Sequence, residues 1–416
     1  MPKTQDGLLV LSTPCLPKRS YHCGNALSSM VADLLWRAEY CFGGAQAFVV
    51  SDAWNLHGLP YEKEFLVRES RVGGYAGIEG LASEALDFAQ KEKDSLVKTS
   101  DGFVYRDTNP ALVAFSRDAL MSLRASGFAD WRHGEMFLDI DKFMMSDGYA
   151  SFIEALRTDA VFSPGCHRAS VVTQSRVFVG AFPLSKPRVF ALRVDVEGRT
   201  IALNPIVQSF LYPRWILATY GAASGCKKVL VSASGHGMLK WHYLRSLFSW
   251  MLEGRLPVEE FLMHGTVLGT DGSPMSKHAS NAISPSALIA RCGGASAARF
   301  VLLRSISEKD IPLQEARGLK EYRSIRPKLE KVFSLEWRIA SEEQARAAFG
   351  RIRRAFAARR IHLAIEEWYV WLRHAELSPA AGSATALDRM AVDICALFLS
   401  ASWKRGRREP YVPGDI

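Results

Sequence analysis

The stretch from residue 7 to residue 54 changes its apolar period twice, and no other feature constrains the fold as much. "GLLVLSTP" is a short apolar run that ends in a Pro-containing loop. "ALSSMVADLLWRAEYCFG" then places Leu27, Met30, Leu34 and Leu35 on one helical face before Gly43 and Gly44, and "AQAFVVSDAW" is apolar again at strand length. Strand, helix and strand in that order predict parallel strands joined by a right-handed crossover. A second strand–helix pair lies in "KKVLVSASGHGMLKWHYLRSLFSWML". Between the pairs, "RVFALRVDVEGRTIALNP" predicts a two-stranded ribbon turning at Glu197 and Gly198. Beyond about Glu315 the chain reads as helical and Arg-rich, with "RIRRAFAARRIHLAIEEWYVWLRHAE" as one helix, "TALDRMAVDICALFLSASW" as another and "SPAAGSAT" as a loop. The expected fold class from this pattern is α/β with parallel strands, followed by a helical C-terminal part.

A chain of 416 residues, 48% of them hydrophobic, can fill two or three domains. Its seven cysteines form no Cys-x-x-Cys pair, so neither a zinc ribbon nor a disulfide framework is expected, and reduced thiols point to the cytoplasm. The N-terminal apolar run is too short for a signal peptide, and no stretch approaches the roughly 18 apolar residues of a membrane span. The net charge of +9 suits a polyanionic partner without naming one.

The segment "RSYHCGNALSSM" precedes the first helical pattern. It puts His22, Cys23, Gly24 and Asn25 where unpaired N–H groups and the helix dipole favour a phosphate. Gly24 lets a ligand approach the backbone, while the imidazole and carboxamide can donate hydrogen bonds. Taken alone, the same residues also fit an Asn near a helix cap beside a surface His.

Three further segments extend this reading. "TPCLPKRSYHCGNAL" resembles a Pro-containing strand end followed by a HIGH signature, with His22 and Gly24 kept and Asn25 at the final His. "SDAWNLHGLPYE" resembles a segment written GWDxHGLPxE through Trp54, His57, Gly58, Leu59, Pro60 and Glu62. "HGTVLGTDGSPMSKHASNAISP" resembles a KMSKS loop and its flanks through Gly265, Gly272, Met275, Ser276, Lys277, Asn281 and Pro285, and "RCGGASAARFVLLRS" resembles YGADALRxxLL. Together they resemble the class I aminoacyl-tRNA synthetases, especially the isoleucyl, valyl and leucyl group.

The resemblance implies that a carboxylate attacks the α-phosphate of ATP, pyrophosphate leaves, and the acyl group passes to the terminal adenosine of a tRNA. It assigns catalysis to His22, Asn25, Ser276 and Lys277. ATP contacts fall to Gly24, His22, His236, Met275 and Lys277, and contacts to the acid to Pro14, Trp54, Asn55 and His57. ATP and Mg2+ are the implied cofactors, no metal site is expected in the protein itself, and a tRNA and a small carboxylic or amino acid are the implied partners, with a downstream acyl acceptor or transferase beyond. The implied fold is α/β, a doubly wound parallel sheet with a small connective insertion and a C-terminal α-helical bundle. It divides into a first half of the catalytic domain at 1–120, a connective insertion at 121–205, a second half at 206–315 and an anticodon-binding-like domain at 316–416.

Four positions depart from the family pattern. Asn25 replaces a His, as it does in tryptophanyl relatives, and Pro274 replaces the first Lys of the loop. His236 stands where an Asp usually meets the ribose. Asn55 stands at the Asp that receives the α-ammonium group, so ammonium recognition has moved, with Asp52 a candidate, or the acid lacks that charge. Only about 165 residues separate Glu62 from Lys227, too few for a large editing domain. Without one, a pocket separates acids differing by one methylene only about 10- to 200-fold. That selectivity suits specialised metabolism better than translation. About six of the nine net positive charges lie between Lys320 and Ile416, where a tRNA backbone would be attracted. Two other readings stand beside the tRNA-charging one: a tRNA-independent adenylating amide ligase, and a catalytically weakened binding or regulatory paralogue.

Overall fold

Strand β1 (Leu8–Ser12) has the alternation of a strand covered on both faces. Leu9 and Leu11 join one core with Tyr212, Trp215 and Phe261, and Val10 joins another with Leu27 and Met30. The computed structural model describes residues 8–12, 14–15, 21–43, 47–50, 52–54, 63, 67, 78–99, 104–106, 109–158, 161–162, 179–186, 192–221, 228–235, 238–258, 260–269, 271–275, 281–380, 382–400 and 402–403.

Helix α1 (Cys23–Ala38) follows β1, widens into a π-helical turn over Glu39–Gly43, and leads to β2 (Ala47–Val50). Strand β3 (Asp52–Trp54) leaves the main sheet and pairs in parallel with β4 (Val104–Arg106). Helices α2 (Ile78–Asp94) and α3 (Pro110–Ala125) flank β4 in sequence. The central sheet is completed by β5 (Val161–Phe162), β6 (Lys228–Gly235) and β7 (Glu260–His264). Its order is β2-β1-β6-β7-β5, every pairing parallel. The chain runs outward from β1 to β2 in one direction and from β6 to β7 in the other. The carboxyl ends of β1 and β6 therefore frame the crevice where open α/β sheets take their ligands.

Helices α4 (Pro205–Ile216) and α5 (Leu239–Glu253) cover one face of the sheet. The segment expected as an insertion folds against them. A three-stranded antiparallel sheet (Ala129–Arg132, Glu135–Asp139, Ala181–Pro183) and the ribbon Arg193–Val196 with Arg199–Ala202 share a core with Leu120, Phe210, Tyr243 and Leu247. The ribbon turns at Glu197 (φ 53°) and Gly198 (φ 73°), the two positive-φ residues that match a tight turn to strand twist. One correction concerns β5: it lies inside the segment 121–205 and supplies the outermost strand of the central sheet, so that segment is not wholly an insertion.

The other face carries α1, α6 (Pro285–Cys292), α7 (Ala295–Arg304) and four bundle helices: α8 (Glu315–Ser334), α9 (Glu342–Ala357), α10 (Ile361–His374) and α11 (Ala386–Leu399). The stretch read as one helix from Arg351 to Glu376 is two, α9 and α10. The chain turns over Ala358–Arg360 with Arg359 left-handed at φ 57°. The bundle and α1 share one core, in which Trp368 stacks on Phe398 at 4.6 Å. At its centre Asp33 accepts from Arg37 at 2.9 Å and from Arg299 at 3.1 Å, all three side chains fully buried. Arg37 also donates to the Ser400 carbonyl at 2.7 Å and Arg299 to the Phe398 carbonyl at 2.7 Å, satisfying the open end of α11. Among the described residues no single helix is long and apolar enough to cross a membrane. The pair Pro285–Cys292 and Ala295–Arg304, bent by 107°, passes that test only jointly.

Candidate active site

The first turn of α1 is organised around His22. It sits at the N-cap in extended backbone (φ −129°, ψ 167°), and its carbonyl accepts from the N–H groups of Asn25 at 2.8 Å and Ala26 at 3.2 Å. In return, the Asn25 Oδ1 accepts the His22 N–H at 3.4 Å. Asn25 therefore closes the turn with its oxygen, leaving its amide N–H groups as donors to a ligand. Gly24 has a steric reason to be glycine: a Cβ there would stand 3.1 Å from two atoms of the His22 ring. The neighbouring Cys23 is no nucleophile, because burial first, then Glu92 and Cys292, push its thiol up to about 12.

The Cys23 N–H crosses to the Ile283 carbonyl at 2.9 Å, tying this turn to the segment after the loop 276–280. The base of that loop is built by Asp271, Ser273 and Asn281. Asp271 accepts from the Asn281 amide at 2.9 Å, from the Ser273 hydroxyl at 2.8 Å and from the Ser273 N–H at 3.1 Å, while Asn281 also reaches the Ser273 Oγ at 2.7 Å. The Asn281 amide foremost, then the two Ser273 donors, hold the Asp271 carboxyl below its ordinary value. Gly272 (φ 74°) makes the turn and Met275 is buried in the core, so both feet of the loop are fixed.

A third tie comes from β7. His264, only 5% exposed, has its Nε2 3.1 Å from the Ser28 Oγ on α1 and its Nδ1 3.0 Å from the Gly265 carbonyl. Gly265 admits no side chain, since a Cβ would overlap the Lys309 carbonyl at 1.9 Å. On the side expected to meet the acid, Trp54 is fully buried, gives its indole N–H to Gln90 at 2.9 Å and packs on Tyr21. It is a wall and an anchor rather than a polar contact. Pro14 is half-buried beside Cys15, which bridges to Trp54. Glu92, two residues beyond Gln90, accepts from the N–H and hydroxyl of Ser286 at 2.9 and 2.6 Å and caps α6.

Of the residues singled out in the sequence, His22, Gly24 and Asn25 share the α1 turn, and Met275 stands at the foot of the loop joined to it. Ser276, Lys277, His236, Asn55 and His57 lie outside the described residues, as does the Asp52 side chain. Sequence reasoning missed Ser28, His264, Asp271 and Glu92. The "HG" that opens the loop segment was in view, but nothing in the string pairs its His with a serine 236 positions earlier. No group of three or more His, Cys, Asp or Glu side chains that could hold a metal ion occurs among the described residues.

Residues 231–314 match a family model described as tRNA synthetases class I (I, L, M and V). Among solved structures, the chain is similar to Mycobacterium tuberculosis methionyl-tRNA synthetase in complex with methionyl-adenylate. The TM-score is 0.68 and the identity 14%, over 95% of this chain and 89% of that one. A second structure, of Mycobacterium tuberculosis methionyl-tRNA synthetase bound by methionyl-adenylate, gives 0.67 and 14% over 94% and 88%. No curated protein matches the sequence. The fold is thus shared with these structures over nearly the whole length, and the family-model match crosses β6, β7 and the loop base: the chain has a class I tRNA synthetase-like fold.

Proposed function

We propose that the protein activates a small carboxylic or amino acid with ATP as an acyl-adenylate and transfers it to the 3' end of a tRNA, in the service of specialised metabolism. The observation that carries this reading is the 2.9 Å bond from Cys23 to Ile283, which joins the turn of His22, Gly24 and Asn25 to the segment that follows Ser276 and Lys277 in the sequence. Charge builds on the phosphate oxygens during in-line displacement, and donors fixed beforehand stabilise it without reorganising. The α1 turn supplies such donors on the α-phosphate side, and Lys277 is assigned to the β and γ phosphates, with Ser276 assisting. His236 is assigned to the ribose. Mg2+ bound with ATP would supply further charge neutralisation. The methionyl-adenylate in the similar structures supports the adenylate part of the reading.

The tRNA-independent ligase keeps one specific support. Arg326, Arg346 and Arg351 of the basic bundle are already paired with Glu330, Glu342 and Glu367. Exchange of labelled pyrophosphate into ATP, screened over carboxylic and amino acids, tests activation. RNase sensitivity of the acylated product then separates the two readings. Absence of exchange with every acid would leave a binding paralogue.

A further inference from the structure

Helix α1 and strand β7 each contribute one end to the site, the turn at His22 and the strand end that leads into the loop. Their relative placement sets the geometry between the His22 turn and the Gly265 backbone. At the far end both are held by Arg359, which donates to Glu39 at the end of α1 at 3.1 Å and to Glu260 at the start of β7 at 2.6 Å. At the site end a direct side-chain tie joins His264 to Ser28 at 3.1 Å.

We propose that His264 is a positioning residue for ATP, acting through Ser28 on the α1 turn and through Gly265 on the loop. The proposal rests on the adenylation reading above. The imidazole is clamped by its surroundings. Gly265 cannot move toward Lys309, and its N–H is bound to the Ser307 carbonyl at 2.7 Å, so its own carbonyl is a fixed acceptor. The hydrogen-bond network thus assigns the proton to Nδ1, leaving Nε2 as acceptor for the Ser28 hydroxyl. The Gly235 position at the end of β6 faces the ring, since a Cβ built there would stand 3.7 Å from its Cε1. A cavity of about 20 Å³ beside it, lined by Ser307, Glu308, Arg359 and His362, has room for one water and no second side chain. One ring therefore ties β7 and the Gly265 backbone that follows it to α1. A displacement near 1 Å between phosphate-binding groups costs about a hundredfold in rate when complete, and loss of one of several ties a fraction of that.

The experiment compares Ser28→Ala, His264→Asn, His264→Gln and the double variant Ser28→Ala/His264→Asn. Readouts are pyrophosphate exchange and direct ATP titration. Asparagine reaches only as far as Nδ1 and keeps the Gly265 bond, whereas glutamine reaches as far as Nε2 and can keep the Ser28 bond. The expected result is an ATP KM and Kd raised about tenfold in Ser28→Ala and His264→Asn, with the acid KM unchanged. The double variant is then no worse than either single one, and His264→Gln returns to within about threefold of the wild type. A merely structural role would lower stability and the active fraction in all four without splitting the ATP from the acid KM. Additive losses, or ATP affinity unchanged in Ser28→Ala, overturn the proposal while wild-type exchange stands. A wild-type protein that binds no ATP removes the adenylation reading and this inference with it.

Discussion

Arg359 and Glu260 form the joint between the helical bundle and the central sheet: the Arg359 Nε donates to Glu260 Oε2 at 2.6 Å, and a second nitrogen reaches Glu39 at 3.1 Å. Burial pulls the guanidinium pKa down, and bonds to the two carboxylates outweigh it. Truncation in Arg359→Ala leaves two half-buried carboxylates without their cation and costs about 2 kcal/mol. Lys in its place cannot reproduce the fork. Both variants are expected to speed hydrogen exchange over 260–264 and 355–361, and protection equal to the wild type there would refute the joint.

The loop base gives a prediction about pH as well as cleavage. Asp271 is fully exposed, and its lowered carboxyl pKa reflects the donors Asn281 and Ser273. A depressed folded pKa means a contribution that is complete above the ordinary carboxylate value of 3.8 and is lost as pH falls through the lowered one. Between pH 5 and pH 9 the tie is therefore constant, and any bend in an activity profile there has another source. Asp271→Ala frees the feet of the loop, and trypsin should cut the ATP-free variant at Lys277 about 3- to 10-fold faster than the wild type. Equal cutting rates would show that Asn281 and the turn at Gly272 hold the loop unaided.

Much of this architecture was legible because it follows from local periodicity. The β1–α1–β2 unit, the second strand–helix pair and the ribbon at Glu197 and Gly198 all stand where the pattern put them. The break at Arg359 was not legible, since no Gly or Pro interrupts "FAARRIHL". The left-handed residue is held there by Glu260, 99 positions away. Asp33, Arg37 and Arg299 read as surface charges on helices, and only the packing of α1 against α7 and α11 makes them a buried cluster. The site divides in the same way. The turn at His22 and the loop base are motifs with fixed spacing, while His264 and Ser28 meet only through the sheet's topology.

Lys277→Ala should lower adenylate formation at least about a hundredfold, because the position that would carry a second loop cation is Pro274. Pro274 is held in a bridge to Leu268, and its carbonyl takes part in the Asn281 contacts. Nothing there can replace the charge. Near-wild-type exchange in the variant would remove the phosphate role from the loop.

On the bundle, Arg353 and Arg354 are exposed on α9, whereas Arg351 is engaged by Glu367 at 2.6 Å. Neutralising Arg353 and Arg354 should weaken tRNA binding and flatten its salt dependence by roughly one to two units of slope, with exchange intact. Arg351→Gln should change the slope less than either. Should the double variant keep the wild-type slope, α9 is a solvated face and the tRNA-independent reading gains.

Asn55 converts one residue into a statement about substrate chemistry. The residue before it, Trp54, is fixed in the core by Gln90 and Tyr21. If the native acid carries no α-ammonium group, the wild type should activate a small polar carboxylic acid better than any proteinogenic amino acid, and Asn55→Asp should reverse the order. The restored carboxylate would be desolvated without a cation opposite the native acid, yet paired when an α-amino acid is bound. A difference of about 2 to 4 kcal/mol between the two substrate classes appears as a roughly 30- to 1000-fold swing in relative kcat/KM. An ordinary amino acid held through Asp52 or backbone carbonyls predicts the opposite: robust wild-type exchange with Leu, Ile, Val or Met, improved further in Asn55→Asp. Strong wild-type exchange with any of those four decides against an acid without the ammonium group.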